Sequence, residues 1–328
     1  MNSIYFDSGT TNTRAYLFEG SHLLHKLSAE IGSKDCALTG SNMTLLCRLK
    51  KMYDELLQGS GLAEDDIREI WMSGMISSST GILEIPHLTV PVDLQCIREG
   101  VVEYFEPLCF KRTLHIIPGV KTSLSGDPLN YETFTKINNM RGEETEIFGI
   151  LEQYPSLRES SILILPGSHT QITVIQNGAI TDIHSTITGE LYQAIVQRTI
   201  LSTGLAPNGE NAILPHMVSK GFHALQNLGF NRALYTIRTM ELFLHSTPAE
   251  RRSYFEGILN GGVATAALSL ISPASPPQIA VYGNKNSLKV FQTLFSELSP
   301  NLPFVGIESK ELPYSAQGFL CITSLFSL

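Results

Sequence analysis

Short apolar runs broken by polar, glycine-bearing tips set the pattern at the start of this chain. The run Ile4-Tyr5-Phe6 meets Asp7-Ser8-Gly9-Thr10-Thr11-Asn12-Thr13-Arg14, and a second run, Ala15-Tyr16-Leu17-Phe18, follows. Two apolar runs around such a tip predict a β-hairpin. The layout recurs later. Leu163-Ile164-Leu165 leads into Pro166-Gly167-Ser168-His169-Thr170, then Ile172-Thr173-Val174-Ile175, the turn Asn177-Gly178 and a strand from Ala179 to Ile183. Gly9 and Gly20 lie eleven residues apart, and so do Gly167 and Gly178. Two strand–loop–strand–turn–strand units at one spacing predict a duplicated domain, with two loops facing each other across a cleft. Asn-Gly hairpins are common, so two ordinary hairpins are the plainer reading of either copy alone.

Helical spacing appears between and after these units. Met43, Leu46, Leu49, Met52, Leu56 and Leu57 predict a helix over about 42–57, with Asn42 as its cap. Strands are expected near 70–76 and at Leu114-His115-Ile116-Ile117, where Pro118-Gly119 signals a turn. Residues 121–140 are polar and turn-rich, and a domain boundary is placed there. Further helices are expected near 140–154, 190–201, 232–245, 248–270, 287–298 and 315–326, with strands at 279–282 and 304–305 and a proline-rich loop at 272–277. Pro248 suits a first helical turn, where its missing N–H costs nothing.

Bulk numbers narrow the classes. A length of 328 residues suggests about two domains. Apolar content of 43% and charged content of 16% are ordinary for a globular protein. With 23 basic and 31 acidic residues the net charge is −8, which disfavours general nucleic-acid binding. Cys36, Cys47, Cys96, Cys109 and Cys321 form no C-x-x-C pair, so neither a metal cluster nor a disulfide framework is expected. Without a basic-apolar leader or an apolar stretch of bilayer length, a soluble cytoplasmic protein is expected, and the triplet Asn42-Met43-Thr44 is then a chance match to a glycosylation site. The oligomeric state stays open, a homodimer included.

The loops suggest phosphate chemistry. Gly9 and Gly167 let the backbone approach an anion, and successive turn amides form an anion-binding concavity. Thr10, Thr11 and Asn12 would donate to phosphate, or simply shape the turn. Asp7 would contact Mg²⁺ through water, or else close an Asx turn. Arg14 would reach phosphate or pair with an acid on the neighbouring strand. Ser168, His169 and Thr170 form the second loop, His169 more naturally as a hydrogen-bonded loop former. Arg141, Glu143 and Glu144 open a helix. One carboxylate there would accept a hydroxyl proton, or the pair merely complements the helix dipole. Arg141 would grip a carboxylate with both arms or pair with Glu144. Ser77 and Ser78 are candidates for sugar hydroxyls. Gly261, Gly262, Gly283 and Asn284 would allow close approach of adenine and ribose, and helix-interior glycines need either a ligand or tight packing to offset about 1 kcal/mol each.

These segments, in this order, resemble the 2-dehydro-3-deoxygalactonokinase (2-keto-3-deoxygalactonate kinase) family of the actin-like ATPase superfamily. The matches are Asp7-Ser8-Gly9-Thr10-Thr11-Asn12, Ser73-Gly74-Met75-Ile76-Ser77-Ser78, Ile116-Ile117-Pro118-Gly119, Met140-Arg141-Gly142-Glu143-Glu144-Thr145, Pro166-Gly167-Ser168-His169-Thr170, Thr188-Gly189-Glu190-Leu191, residues 256–262, Tyr282-Gly283-Asn284 and Ala316-Gln317-Gly318. The resemblance implies an α/β fold of two duplicated actin/hexokinase-like (ribonuclease H-like) domains. Each would have a mixed five-stranded sheet flanked by helices, with the active site in the interdomain cleft. Residues 1–120 would carry the first phosphate loop and the sugar-acid segment, with Gly74, Met75, Ser77 and Ser78 on the substrate. Residues 121–328 would carry the second loop and the adenosine site, the last helix packing back on the first domain.

The implied activity is ATP- and Mg²⁺-dependent phosphorylation of the terminal (6-) hydroxyl of 2-dehydro-3-deoxy-D-galactonate, a small-molecule sugar acid, with no nucleic acid or membrane as partner. A same-fold kinase for another sugar acid and a non-catalytic ATP-binding switch are the alternatives. The chain departs from the family at Gln171-Ile172, where Lys-Trp is usual, and at Ile82 and His87, where Trp and Tyr are usual.

Overall fold

The computed structural model describes residues 1–124, 126–206, 212–271 and 277–324. All but Pro277 of the expected proline-rich loop, and the end of the expected last helix, lie outside these residues. The chain divides into two compact units. One is Met1–Ser156 with Gly178–Asp182 and Lys310–Leu328; the other is Leu157–Asn177 with Ile183–Ser309.

The first unit contains strands β1 (Asn2–Ser8), β2 (Thr13–Glu19), β3 (His22–Ala29), β4 (Ile67–Gly74), β5 (Leu88–Thr89), β6 (Val102–Glu106), β7 (Arg112–Ile116), β8 (Val120–Lys121) and β9 (Asn139–Met140). Its main sheet runs in the order β3-β2-β1-β4-β7-β6, and β5, β8 and β9 make a small second sheet. β1 is antiparallel to β2 and parallel to β4, which is parallel to β7. Ile4, Tyr5 and Phe6 are all fully buried, because β1 is central and covered on both faces. Ile4 and Phe6 share a core with Leu45, Leu49 and Met52 of α2 (Met43–Ser60). Tyr5 points the other way and stacks on Phe319 of the closing helix Tyr314–Ser324, ring centres 4.6 Å apart. Side-chain alternation along one strand thus commits each face of the sheet to its own helix.

α1 (Ser33–Thr39), α3 (Leu94–Glu99) and α4 (Glu143–Gln153) complete the helices of this unit before the closing one. α4, expected to open the second half, belongs here because it crosses the closing helix at backbone distance. A Cβ on Gly149 would lie 2.0 Å from the Tyr314 carbonyl oxygen, and one on Gly318 would lie 1.7 Å from that of Thr145. Asn42 precedes α2, but its side chain makes no cap bond, contrary to expectation. Its Nδ2 donates to the Ile82 carbonyl, and the Ser41 hydroxyl accepts from the Met43 N–H instead.

A five-stranded sheet, most of it in the second unit, is made of β10 (Ser160–Leu165), β11 (Thr170–Gln176), β12 (Ala179–Thr186), β13 (Gln278–Tyr282) and β14 (Phe304–Ile307), in the order β12-β11-β10-β13-β14. β10 is antiparallel to β11 and parallel to β13, which is parallel to β14. That is the order of β3-β2-β1-β4-β7, with the same sense in the three pairings just given, so the duplication read from glycine spacing is a duplication of topology. The first sheet has one strand more than the expected five, because β6 pairs antiparallel on the outer edge of β7.

Helices α5 (Thr188–Arg198), α6 (Ser202–Leu205), α7 (Pro215–Leu228), α8 (Phe230–Phe243), α9 (Pro248–Ser269) and α10 (Lys285–Leu298) follow, and the closing helix is α11. Thr247 caps α9 reciprocally with Glu250, and Pro248 takes the first turn as expected. α7 was not among the expected helices.

The space around two helix-interior glycines predicts opposite effects of substitution. Gly149→Ala inserts a methyl into a carbonyl and should destabilise by about 1–3 kcal/mol. Gly262→Ala, within α9 and with nothing within 4 Å of a new Cβ, should stabilise by about 0.5–1 kcal/mol. Urea midpoints of the two variants against the parent check this.

Candidate functional site: phosphate loops and a buried carboxylate

In the first unit the chemistry gathers at the carboxyl ends of β1, β4 and β7, where α/β sheets take their ligands. β1 ends in Asp7 and Ser8, paired across the sheet with Ser73 and Gly74 at the end of β4. The loop after β1 is closed by the Gly9 N–H donating to the Asn12 carbonyl at 2.8 Å. Ser8 and Thr13 hydroxyls meet at 2.8 Å across its base, and Thr13 donates to the Ile31 carbonyl. The start of α1 then backs onto the loop. Ser33 and Lys34 N–H groups donate to the Gly9 and Thr10 carbonyls, and a Cβ on Gly32 would lie 2.4 Å from the Thr10 oxygen. With the carbonyls turned toward α1, the amides of Thr10, Thr11 and Asn12 donate to no atom among the described residues. Thr11 and Asn12 are exposed. Such a row of amides suits an anion.

Asp7 stands beside this loop with 17% of its side chain exposed. Burial raises its pKa, only partly opposed by Arg14 and Ser315. The Ser315 hydroxyl donates to Asp7 Oδ2 at 3.0 Å, and Arg14 Nη1 lies 3.6 Å from the same oxygen. Arg14 therefore takes the cross-strand partner that was one of its two expected roles. Ser315, a serine on a helix three hundred residues away in sequence, gave no local signal.

The head of α4 meets the end of β4. A Cβ on Gly142 would lie 3.3 Å from the Gly74 Cα, and one on Gly74 would lie 2.3 Å from the Ser8 carbonyl oxygen. Both glycines have positive φ, 108° and 84°, so geometry and space both require glycine here. Glu144 folds back so that both carboxylate oxygens accept from the Gly142 N–H at 2.8 Å. It is fully buried. Burial, with the Glu143 charge adding, pushes its pKa up to about 8, against the N–H groups and Arg141. Glu144 closes the helix start and is sealed from any acceptor; Glu143 is half-buried.

Arg141 is drawn elsewhere. Nη1 donates to the Ser77 hydroxyl at 2.7 Å, and Nη2 donates to the Ile85 carbonyl at 2.8 Å. Ser77 also donates to the Gly74 carbonyl and is fully buried. The expected sugar contact is thus a bracket for Arg141. Ser78 donates to the Met75 carbonyl and lines an open cavity of about 460 Å³ with Asn42, Ser79, Thr80 and Glu84.

The second unit repeats the loop architecture. Glu190 N–H donates to the Ser168 carbonyl, and a Cβ on Gly189 would lie 2.1 Å from the Gly167 oxygen. Gly189 stands to Gly167 as Gly32 stands to Gly9. The Thr186 hydroxyl donates to the Thr170 carbonyl. His169 Nε2 lies 3.4 Å from Glu190 Oε1, which fits a loop former. Gln171, where the family has Lys, is buried and accepts from Ser185 at 2.7 Å, so no cation is available at that position.

A cavity of about 240 Å³ in this unit is lined by Tyr192, Ala212, Ile213, Arg252, Glu256, Asn284, Asn286 and Ser287. Asn284 caps α10, accepting from the Asn286 and Ser287 N–H groups. Burial lifts Glu256 to about 7, against Asn260 and Arg252. Gly283 lies against Ser287, and Gly261 is packed on Phe222 of α7, where a Cβ would lie 2.6 Å from the ring. Gly261 therefore serves helix packing. Glu256 opens the matched segment 256–262, whereas Tyr192 on α5 and Arg252, nine residues before Gly261 on α9, are cavity groups without a signal in the sequence.

Two α/β units with this shared sheet order define the duplicated actin/hexokinase-like fold. A 2-keto-3-deoxy-galactonokinase family model matches residues 7–308, and the chain belongs to that family. The 2-dehydro-3-deoxygalactonokinase of Escherichia coli (strain K12) is 28% identical over 210 residues, 64% of this chain and 61% of the relative, so less than two thirds of that relative is matched. A candidate 2-dehydro-3-deoxygalactonokinase from Sinorhizobium meliloti has a crystal structure superposing with TM-score 0.74 at 20% identity, over 98% of this chain and 97% of its own. Acetate kinase from Entamoeba histolytica superposes with TM-score 0.50 at 9% identity, over the full length of both chains. At these identities the two structures show the fold. No helix among the described residues is long and apolar enough to cross a membrane.

A carboxyl raised from 4.5 to about 8 on folding adds its full stability below about pH 4.5 and loses it as pH rises through about 8. The parent should therefore lose stability relative to Glu144→Gln between pH 5 and 8, by on the order of 1 kcal/mol per pH unit. Urea unfolding of both proteins across that range reads the difference.

Proposed function

We propose that this chain transfers the γ-phosphoryl group of ATP to a hydroxyl of a 2-keto-3-deoxy sugar acid, with 2-keto-3-deoxygalactonate as acceptor and its terminal hydroxyl as the nucleophile. The observation that carries the reading is the clamped, glycine-bearing loop found in both units: Gly9–Asn12 held by Gly32 and Gly167–Thr170 held by Gly189. Phosphoryl transfer asks mainly for positioning and charge neutralisation, and rigid loops with outward amides and hydroxyls supply both. Their assigned partners are the nucleotide phosphates. The family membership and the E. coli relative's name support the acceptor.

Asp7 fits a hydrated Mg²⁺. Its carboxylate is largely buried, with Oδ2 held by Ser315 and Arg14, and a group whose charge is penalised by burial is relieved by a cation. Mg²⁺ typically keeps its waters and binds through one or two carboxylates, and no group of three or more His, Cys, Asp or Glu residues that could hold a metal forms among the described residues. Mg²⁺ would neutralise phosphate oxygens. Glu143, at the dipole-positive head of α4, is the carboxylate for the acceptor hydroxyl's proton. Arg141, its guanidinium already oriented, is assigned the acceptor carboxylate. The 240 Å³ cavity of the second unit is assigned to the adenosine, with Tyr192 as a flat apolar wall and Asn284 and Glu256 as polar contacts.

A second reading keeps the phosphoryl transfer and changes the acceptor. Ile82 and His87 replace the family's aromatic pair in the segment near Arg141, which alters the surface an acceptor meets. ADP release with 2-keto-3-deoxygalactonate, with other aldonic and 2-keto-3-deoxy acids, and with no acceptor separates the cases. Stimulation by the galactonate derivative above the panel supports the first reading; equal release with and without any acceptor refutes both. Asp7→Asn should lower kcat by about 10²–10³-fold, the scale of losing one charged group aimed at a transition state. Its thermal midpoint should not fall, because a buried charge is removed.

A further inference from the structure

His87 is held by groups that dictate where its proton lies. Nδ1 is 3.4 Å from Arg141 Nη2, and Nε2 is 3.2 Å from the Asn139 side-chain amide. The ring edge packs on Gly119, where a Cβ would come within 3.0 Å of Cδ2. Burial, then the charges of Arg141 and Lys121, keep the ring neutral, with a pKa of about 4. A guanidinium only donates, so Nδ1 must be the acceptor and the proton sits on Nε2. Asn139 Nδ2 is the atom facing Nε2; with the proton on Nε2, the amide's nitrogen and oxygen exchange places, an assignment made from the hydrogen-bond network.

Arg141 is thereby gripped by three acceptors from one short segment: the Ser77 hydroxyl, the Ile85 carbonyl and His87 Nδ1. Glu84 and Glu144 act on it through space. Ser77 holds Nη1 and Ile85 holds Nη2. The histidine, the one side chain of the three that departs from its family, is the second acceptor on Nη2 and fixes the rotation of that arm.

We propose that His87 is a positioning residue for Arg141 and, through it, sets the preference of this protein for an acidic acceptor over a neutral one. The inference rests on Arg141 as the partner of the acceptor carboxylate. Two substitutions separate hydrogen bonding from packing. His87→Asn keeps an oxygen near the Nδ1 position and removes the ring; His87→Phe keeps the ring and removes the acceptor.

Loss of a hydrogen bond to a charged group should raise KM for 2-keto-3-deoxygalactonate about tenfold in His87→Phe, with kcat and KM for ATP near the parent values. His87→Asn should stay within about twofold. If His87→Phe matches the parent, or His87→Asn is as impaired as His87→Phe, the ring is only packing and the proposal fails. Arg141→Met is run beside them. If it leaves KM for the acid unchanged, the assignment of Arg141 to the carboxylate fails instead, which is a different result. The folded parent gives an independent reading by ¹⁵N NMR of the imidazole: the Nε2–H tautomer supports the proposal, and an Nδ1–H tautomer overturns it.

Discussion

The structure turns on one steric constraint: a backbone carbonyl packed where a Cβ would have to be. At Gly32 and at Gly189 the next element sits on the carbonyl oxygens of a phosphate-type loop, 2.4 Å and 2.1 Å from where a side chain would begin. That contact engages one side of each loop. Once Gly9 and Thr10 carbonyls accept from Ser33 and Lys34, the peptide planes cannot turn over, and the loop's amides are committed to the opposite side. A loop held this way does not have to be ordered by its ligand, so less of the binding energy is lost to conformational entropy. Gly74 and Gly142 extend the same constraint to the head of α4, which is how an acidic helix start comes within a methyl's width of a strand end.

Electrostatics explain why an acidic chain can serve polyanions. The net charge of −8 would repel a triphosphate if its carboxylates were all free and facing it. Several are not. Glu144 is spent on the Gly142 N–H, Asp7 shares Oδ2 with Ser315 and Arg14, and Glu106 accepts the N–H groups of Leu108, Cys109 and Phe110. Burial raises Glu144 to about 8 and Glu256 to about 7, so part of the negative charge is withdrawn at neutral pH. On the proposed function, backbone amides, which carry no net charge and need no counterion, take the anion-binding role.

The fold was legible where its signal was local. The two hairpins, their equal spacing, and helices α2, α9 and α10 follow from apolar period and turn chemistry over ten to twenty residues. α7 was not foreseen; its Gly221 is a packing contact in space, where a Cβ would lie 1.9 Å from the Tyr254 carbonyl. The candidate site divides the same way. Asp7, the loop residues and Arg141 are readable because they sit in one contiguous segment each. Ser315, Gly32, Tyr192 and Arg252 are not, since each reaches its partner through tertiary folding. Ser77 and Glu144 show the converse. Both residue types fit the chemistry, yet both are fully buried, because a serine between a carbonyl and a guanidinium, and a glutamate two residues after a glycine at a helix start, satisfy the backbone first.

Departures from a family pattern then acquire a physical ranking. Gln171 replaces a cation but lies buried within β11, bonded to Ser185. Its effect on a ligand must therefore pass through the sheet, and the exposed loop residues ahead of it can still act alone. His87 is different in kind. It touches Arg141 directly, and a neutral imidazole offers that guanidinium an acceptor with a fixed direction, which a phenol provides only through a rotating hydroxyl. A change that redirects a charged fork alters which anions fit, while leaving intact the loops on which phosphoryl transfer depends. On the proposed function, acceptor choice is therefore more open to drift than the chemistry, since the first leans on a side-chain fork and the second on backbone that only glycine can form.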